Sequence, residues 1–400
     1  MPSFTFARGN ASKLLSLPLY ALGRLASVLV RRSDSLWVFA CGSGIGEGSL
    51  ELYRFTKDAN PSLRLVWLTR DRAELARARD LGLTAATRSS WQGFRLTLRA
   101  GVLVLTHGLG DVNRFGTHGA FIVQLWHGIP LKKIQLDSPV TFRGFAPALM
   151  LRLYRRSTSA ISLMPAASEV AAERLRSAFG LAENRVVVTG DPRDDVLFQD
   201  ALKARELLAT SVGDLGRDHI VLYAPTWRDG DPDPCIPTAP QWKAIAAHLE
   251  RTSQLLVVRP HPHSVGDYLC GADVSPRIRL LSASAQDDIN PVLPAIDTLI
   301  TDYSSIAFDF ALLGRPIVFL APDAESYART RGLYEPYKKF SGGSDVASWE
   351  GVLALLVDPH ALSRLAAHAV KLAQTHHHFR DGRNTERLYE QLLTRVKGQA

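Results

Sequence analysis

Four short segments of this chain bring together side chains that could do chemistry. Trp126-His127-Gly128 offers a histidine, the side chain best placed to take a proton near neutral pH. Thr226-Trp227-Arg228-Asp229 offers a hydroxyl and a guanidinium. Arg259-Pro260-His261-Pro262-His263 is stiffened by its prolines, and an extended segment sends alternate residues to one side. Arg259, His261 and His263 then share a face, a cationic platform suited to phosphate. Asp302-Tyr303-Ser304-Ser305 opens a stretch with helical periodicity. Ser304 or Ser305 can cap that helix while its free N–H groups and dipole attract an anion, and a diphosphate is the natural guest. Each segment alone has a plainer reading: a turn histidine, a surface arginine, an ordinary Ser-capped helix. Beside Arg259 and His261, the phosphate reading of the two serines becomes the better one.

What must position these residues is a series of short apolar strands. Leu36 to Ala40, Leu63 to Leu68, Gly101 to Thr106, Phe121 to Trp126, Ala160 to Met164 and Val186 to Thr189 form a first set. His219 to Ala224, Leu255 to Val258, Ile278 to Leu281, Thr298 to Thr301 and Pro316 to Leu320 form a second. Helix-period segments lie between them, among them one starting near Asp71 and stopping at Gly82, and one from Ser168 to Phe179 with Gly180 as its stop. Others are expected near Gln241 to Arg251, Ser304 to Leu313, Leu362 to Thr375 and Asn384 to Val396. Strands alternating with helices imply parallel sheets built from right-handed βαβ units. The expected architecture is α/β, two Rossmann-like domains with a cleft between them. Ligands of such sheets bind beyond the carboxyl ends of the strands, and all four chemical segments follow predicted strands directly.

Length and composition agree. The 400 residues suit two α/β domains, and 46% hydrophobic with 22% charged residues is ordinary for a folded protein. A formal net charge of +8 favours an anionic partner. No basic stretch is interleaved with aromatics, so nucleic acid is not expected. Cys41, Cys235 and Cys270 form no CxxC pair and no disulfide framework, which suits a reducing compartment. Gly42, Gly44, Gly46 and Gly48 miss the dinucleotide fingerprint because Glu47 stands where its third glycine belongs. His261 and His263 could ligate a metal, yet no Cys or carboxylate follows at a standard spacing, so none is expected. Asp231-Pro232-Asp233 imitates a metal-binding pair but sits in a Gly/Pro/Asp turn.

Residues 1–34 stand apart. Leu14 to Val30 is largely apolar, carries Arg24 and ends at Arg31-Arg32, with Lys13 before it. It is marginal in length for a membrane span, and its basic pair follows the apolar run, unlike a signal peptide. Two readings stay open: a helix lying on an anionic membrane face, or a helix packed on the N-terminal domain. The remaining expected divisions are an N-terminal domain over 35–198, a C-terminal domain over 199–375, and a last helix within 376–400 that could pack back on the N-terminal domain.

The ordered set of motifs resembles the CDP-glycerol glycerophosphotransferase family of teichoic acid and capsule biosynthesis. It comprises Trp126-His-Gly-Ile-Pro-Leu-Lys132, Ala224-Pro-Thr-Trp-Arg-Asp229, Arg259-Pro-His261, Asp302-Tyr-Ser-Ser305, Gly314-Arg-Pro316, Arg331-Gly-Leu-Tyr334 and Asp381-Gly-Arg383. The resemblance implies a GT-B fold, with the N-terminal domain taking the acceptor and the C-terminal domain the CDP-polyol. It implies direct displacement without metal or other cofactor, and peripheral attachment to the cytoplasmic face of the cell membrane. It places the base on His127, a second important histidine on His261, and donor-phosphate contacts on Ser304 and Ser305. Gly128, Lys132, Thr226, Arg228, Arg259 and Asp302 accompany them as candidate substrate contacts. The region after the first strand, Phe39-Ala-Cys-Gly-Ser-Gly44, is more glycine-rich than the family pattern.

The implied reaction moves glycerol phosphate from CDP-glycerol to a hydroxyl of a lipid- or glycan-linked acceptor and releases CMP. CDP-ribitol would place the same phosphates in the cleft. A GT-B nucleotide-sugar enzyme would use the same cleft to attack an anomeric carbon. A non-catalytic membrane-surface protein is the reading from a different class, against which the presence of His127, His261 and both serines argues.

Overall fold

A computed structural model describes residues 17–141, 147–228, 232–261, 264 and 266–398. His263, Asp229, Asp231, Lys13 and the first residues of the N-terminal apolar run lie outside the described residues. The chain forms two compact units. One takes in Ile129–Ile134 and Val196–His376, and the other the described residues of Thr5–Gly128, Gln135–Asp195 and His377–Ala400. The hexapeptide Ile129–Ile134 thus departs from the expected 35–198 domain. Its Lys132 bridges antiparallel to Leu333, and Tyr334 N–H donates to the Leu131 carbonyl at 2.9 Å.

The N-terminal unit is built on seven strands: β1 (Ser33–Phe39), β2 (Arg64–Thr69), β3 (Ala85–Thr87), β4 (Ala100–Leu105), β5 (Phe121–Gln124), β6 (Ile161–Ala166) and β7 (Val186–Val188). They lie in the order β3-β2-β1-β4-β5-β6-β7, all pairs parallel. Strands covered on both faces read as continuous apolar runs, and β4 and β5 are almost wholly buried. Trp37, Phe39, Val102, Val104 and Val123 fill one face, and Val38, Val66, Leu103 and Ile122 the other. The helix Asn384–Lys397 seals the first face with Leu388, Tyr389 and Leu392. Asp195 caps it by accepting the N–H groups of Asn384 and Thr385 at 2.9 and 2.7 Å.

The C-terminal unit carries β8 (His219–Tyr223), β9 (Gln254–Val258), β10 (Ile278–Leu280), β11 (Thr298–Thr301) and β12 (Ile317–Phe319), in the parallel order β10-β9-β8-β11-β12. In each sheet the order reverses at its first strand. The crevices at carboxyl ends therefore fall between β1 and β4 in one unit and between β8 and β11 in the other.

Every strand expected from the sequence is present, and β3 is added. Ser168 caps its helix as expected by accepting from Ala171 N–H, and the helix expected near Asp71 starts there, with Asp71 accepting from Glu74 N–H. The N-terminal apolar run forms the helix Leu17–Leu29. Its Gly23 packs against the Phe115 carbonyl, and Tyr20 meets the Phe115 ring edge-on at 5.0 Å. Among the described residues no helix is long and apolar enough to cross a membrane.

Candidate active site

In the C-terminal unit the strands deliver their polar residues to the β8/β11 crevice. Ala224 continues the ladder through its N–H to the Ile300 carbonyl, and Thr301 Oγ1 donates back to the Ala224 carbonyl at 2.7 Å. Asp302, buried just past β11, accepts the Thr226 N–H at 2.9 Å and the Arg228 guanidinium at 3.0 Å. Arg228 also grips Asp323 with two nitrogens at 3.1 and 3.2 Å and lies over the rings of Tyr303 and Tyr327. Burial works against the guanidinium charge, but Asp302 and Asp323 outweigh it and raise its pKa. Burial likewise pushes the Asp302 carboxyl up, against the pull of Arg228. Burial and the neighbouring carboxylates keep the Tyr303 phenol protonated, and it donates to Asp323 at 2.8 Å.

This geometry revises two sequence expectations. The sequence makes Arg228 and Asp302 candidate substrate contacts, yet their polar atoms are spent on each other and on the loops they join. They hold the crevice in shape. Thr226 fares differently. Its hydroxyl is buried and has no hydrogen-bond partner among the described residues. A buried, unsatisfied hydroxyl costs about 1–3 kcal/mol, so a group that satisfies it on binding gains that much.

Ser304 and Ser305 follow on the other wall, both half-buried. The helix they open is shorter than expected, Ile306–Ala311, and Ser305 makes no side-chain capping bond. Ser304 Oγ accepts the Ile306 N–H only at a long 3.5 Å. The serine hydroxyls are thus not consumed by a cap, contrary to the ordinary reading of a Ser-Ser start.

The cationic platform expected of Arg259, His261 and His263 also changes. Arg259 donates to the carbonyls of Leu281, Ser282 and Asp287, holding the loop after β10. Burial lowers its pKa. His261 is exposed and stacks on the Trp227 ring at 5.6 Å, while Arg331 lies 6.0 Å above that indole. His261, Trp227 and Arg331 form the accessible cationic and aromatic group here. Lys132 belongs to the same unit through its bridge to Leu333.

His127 and Gly128 belong to the N-terminal unit. Trp126 adopts a left-handed φ of 65° and Gly128 a φ of 105°. A bulky residue in that region stores roughly 1–3 kcal/mol of strain, which folds tolerate mainly at working sites. The Trp126 ring is wedged against Phe179 at 5.1 Å, so the turn presents His127 in one orientation. There the His127 ring stacks on His107 at 4.2 Å and 14°.

His107 is a residue that sequence reasoning passed over, although it follows the predicted strand Gly101 to Thr106 directly. Its ring Nδ1 pairs with Thr106 Oγ1 at 2.8 Å. The buried Asp111 carboxylate shapes its loop by accepting the N–H groups of Thr106, His107 and Gly108. Cys41, Glu47 and His107 bring potential ligand atoms within 4.8 Å of one another. Burial and the nearby Glu47 push the Cys41 thiol well up, so it stays a protonated hydrogen-bonding group beside Ser43.

Comparison with known proteins places this geometry. The family described as CDP-Glycerol:Poly(glycerophosphate) glycerophosphotransferase matches residues 24–394. The teichoic acid ribitol-phosphate polymerase TarK of Staphylococcus aureus is 28% identical over 281 residues, covering 68% of this chain and 52% of the relative. The teichoic acid poly(glycerol phosphate) polymerase of Bacillus subtilis is 26% identical, covering 85% and 46%. The chain spans about half the length of these curated relatives. Among solved structures, the wall teichoic acid polymerase TagF superposes with a TM-score of 0.77 at 20% identity over 98% of both chains. That likeness shows the fold, the α/β GT-B type.

Proposed function

The chain belongs to the CDP-glycerol:poly(glycerophosphate) glycerophosphotransferase family, and from that premise we propose that it transfers glycerol phosphate from CDP-glycerol to an acceptor hydroxyl. The observation that carries the reading is the buried Thr226 hydroxyl without a partner, beside two serines that no cap consumes, at the β8/β11 crevice. Phosphate oxygens are acceptors, and hydroxyls at a strand end are what such oxygens need. Arg228 and Asp302 keep that crevice open, and Arg331 over Trp227, with His261 stacked on the same ring, supplies a cationic edge for the diphosphate.

The acceptor hydroxyl gives its proton to His127. Its oxygen attacks the phosphorus bearing the glycerol, the bond from that phosphorus to the bridging oxygen breaks, and CMP leaves. Such transfer depends on positioning and charge stabilisation more than on covalent chemistry. No step in this scheme calls on a metal. The deciding experiment supplies purified protein with CDP-glycerol, CDP-ribitol or UDP-sugars and follows nucleotide release. CMP from CDP-glycerol supports the reading, and turnover of a UDP-sugar alone overturns it. CDP-ribitol is the second donor because one relative is named for a ribitol-phosphate polymer.

The same reading puts the protein at the cytoplasmic face of the membrane. The helix Leu17–Leu29 exposes Leu19, Leu22, Leu25, Val28 and Leu29 on one side. Burial and then Arg24, Arg32 and Arg156 lower the pKa of His118, so these three guanidiniums gather in one region. Arg32 is spent on backbone carbonyls of Thr97, Ala100, Gly116 and His118. Arg24 within the helix, Arg31 just after it, and Arg156 remain exposed. An apolar stripe with flanking basic residues suits an anionic bilayer surface, where the acceptor's lipid would reside.

A further inference from the structure

The N-terminal unit carries a polar pocket at the amino ends of its strands, the end of the sheet away from His127. The pocket measures about 350 Å³ and opens between the helix Trp91–Arg99 and the first residues of β1 and β2. The helix contributes Trp91, Arg95 and Arg99, spaced four residues apart and so on one face. The strands contribute Ser33, Ser35 and Arg64. The two serine hydroxyls lie 3.0 Å apart, so one donates to the other. No Asp or Glu lines the pocket, and Arg64, Arg95 and Arg99 make no ion pair or side-chain hydrogen bond among the described residues. Elsewhere in the unit guanidiniums are spent: Arg32 on the Thr97 carbonyl, Arg88 on that of Gly110 and Arg185 on that of Ile161.

We propose that this pocket is a second anion site, apart from the β8/β11 crevice, and that it takes a phosphate ester whose uncharged part lies on Trp91. Three guanidiniums from two separate walls converge on one concavity, and their planar forks match phosphate oxygens. Like charges one turn apart, as at Arg95 and Arg99, work against a helix, and a bound anion removes that repulsion. Of the serine pair, one hydroxyl hydrogen is used internally and the other is left to donate to a phosphate oxygen. Trp91 is 70% exposed, its ring tilted against Phe94 at 5.3 Å, and offers a flat apolar surface beside the cations. Pockets for organic ligands run from about 300 Å³ upward, so the space suits an ester rather than a bare ion. At ~3.3 Å per residue the length of β1 holds the pocket roughly 20 Å from the carboxyl-end crevice, so its ligand is retained and not transformed. Two sources carry this chemistry, a soluble ester and a lipid headgroup. Arg32 follows the helix Leu17–Leu29 and binds the Thr97 and Ala100 carbonyls at the end of the pocket's helical wall. That fastens the exposed leucines to the same end of the unit, which makes a headgroup the source to weigh against a free anion. The proposal does not rest on the transferase reading.

Calorimetric titration of the full chain in phosphate-free buffer tests it with three probes: inorganic phosphate, glycerol 3-phosphate, and dihexanoyl phosphatidylglycerol below its micelle concentration. Wild type is compared with Arg95→Gln/Arg99→Gln and with Trp91→Ala, all at exposed positions. The arginine double variant should bind the esters at least about tenfold more weakly, the worth of one charge-assisted hydrogen bond. Trp91→Ala should weaken them about threefold. Arg64→Gln repeats the arginine loss from the opposite wall, where no helix is disturbed, and urea midpoints check each fold. Lipid bound about tenfold more tightly than glycerol 3-phosphate assigns the site to a headgroup, and comparable affinities assign it to a soluble ester. Either result supports the ester site. Absence of ester binding, or ester affinity unchanged in the arginine variants or in Trp91→Ala, overturns it. CMP release on a soluble acceptor stays at the wild-type rate in the double variant, and a fall there would make the pocket part of the active site and overturn the proposal. Wild-type protein that releases no CMP from any donor defeats the transferase reading and leaves these titrations standing.

Discussion

The Arg228 guanidinium lies 3.0 Å from the Asp302 carboxylate, and that contact ties the loop after β8 to the loop after β11. Both side chains are almost fully buried. Breaking such a pair by removing one partner leaves an uncompensated charge, at a cost of about 3–5 kcal/mol. Arg228→Met is therefore expected to lose stability on that scale in urea unfolding, because it strands Asp302 and Asp323 together. Arg228→Met combined with Asp302→Asn should recover part of the loss. A single variant that unfolds like wild type would show that the pair does not hold the crevice.

Thr226→Val separates the structural value of this wall from its ligand value. Valine keeps the shape and removes the unsatisfied hydroxyl. Stability should stay level or rise by up to about 1 kcal/mol, since a buried polar group without a partner disappears. The KM for CDP-glycerol should rise about tenfold if the hydroxyl donates to a donor phosphate. Calorimetry and steady-state CMP release measure the two effects on one preparation. An unchanged KM would remove Thr226 from the donor site.

His127→Ala should lower CMP release by about two to four orders of magnitude, the usual worth of a positioned general base. The fold should survive, because the strained backbone is at Trp126 and the His127 side chain only stacks on His107. Circular dichroism and the donor KM check that survival. Near-normal turnover with an intact fold would end the base assignment.

The strands and their carboxyl ends were legible because buried parallel strands read as uninterrupted apolar runs rich in β-branched residues, as in Ile220-Val221-Leu222 and Leu256-Val257-Val258. β3 was not, since Ala85-Ala86-Thr87 is too short and too small to stand out. The helix Pro147–Thr158 was missed because Arg and Leu are mixed along it and only Thr158 is buried. Roles at the site were harder to read than positions. Arg228 looks like a ligand contact until Asp323, 95 residues away, is found on its other side. Arg259 shares an alternation with His261 but is drawn off by carbonyls of another loop. His107 carried a usable signal, its place after a strand, whereas its stacking on His127 depends on two loops that no local spacing links.

The helix Leu17–Leu29 gives a prediction independent of catalysis. Leu22→Glu and Leu25→Glu put charge on its exposed apolar side. Exposed substitutions of this kind usually change stability by less than about 0.5 kcal/mol. Co-sedimentation with anionic vesicles should fall sharply while CMP release on a soluble acceptor is unchanged. Undiminished vesicle binding would move the membrane contact elsewhere.

A last prediction concerns acid. Burial lowers the pKa of His248 below its ordinary 6.5, with Arg251 adding to the effect and a 3.2 Å bond to Gln254 opposing it. Burial and the arginines around His118 lower that group in the same direction. A histidine whose folded pKa is depressed binds fewer protons in the folded chain than in the unfolded one throughout the interval between the two values. Stability therefore rises with pH across that interval, is complete above about pH 6.5, and is lost as pH falls below it. Urea midpoints measured from about pH 7.5 down to 5.5 should decline. His248→Gln removes one of the two titrations, so its midpoint should decline less steeply over the same range. An equal slope in that variant would show that His248 is not among the groups that take up protons on unfolding.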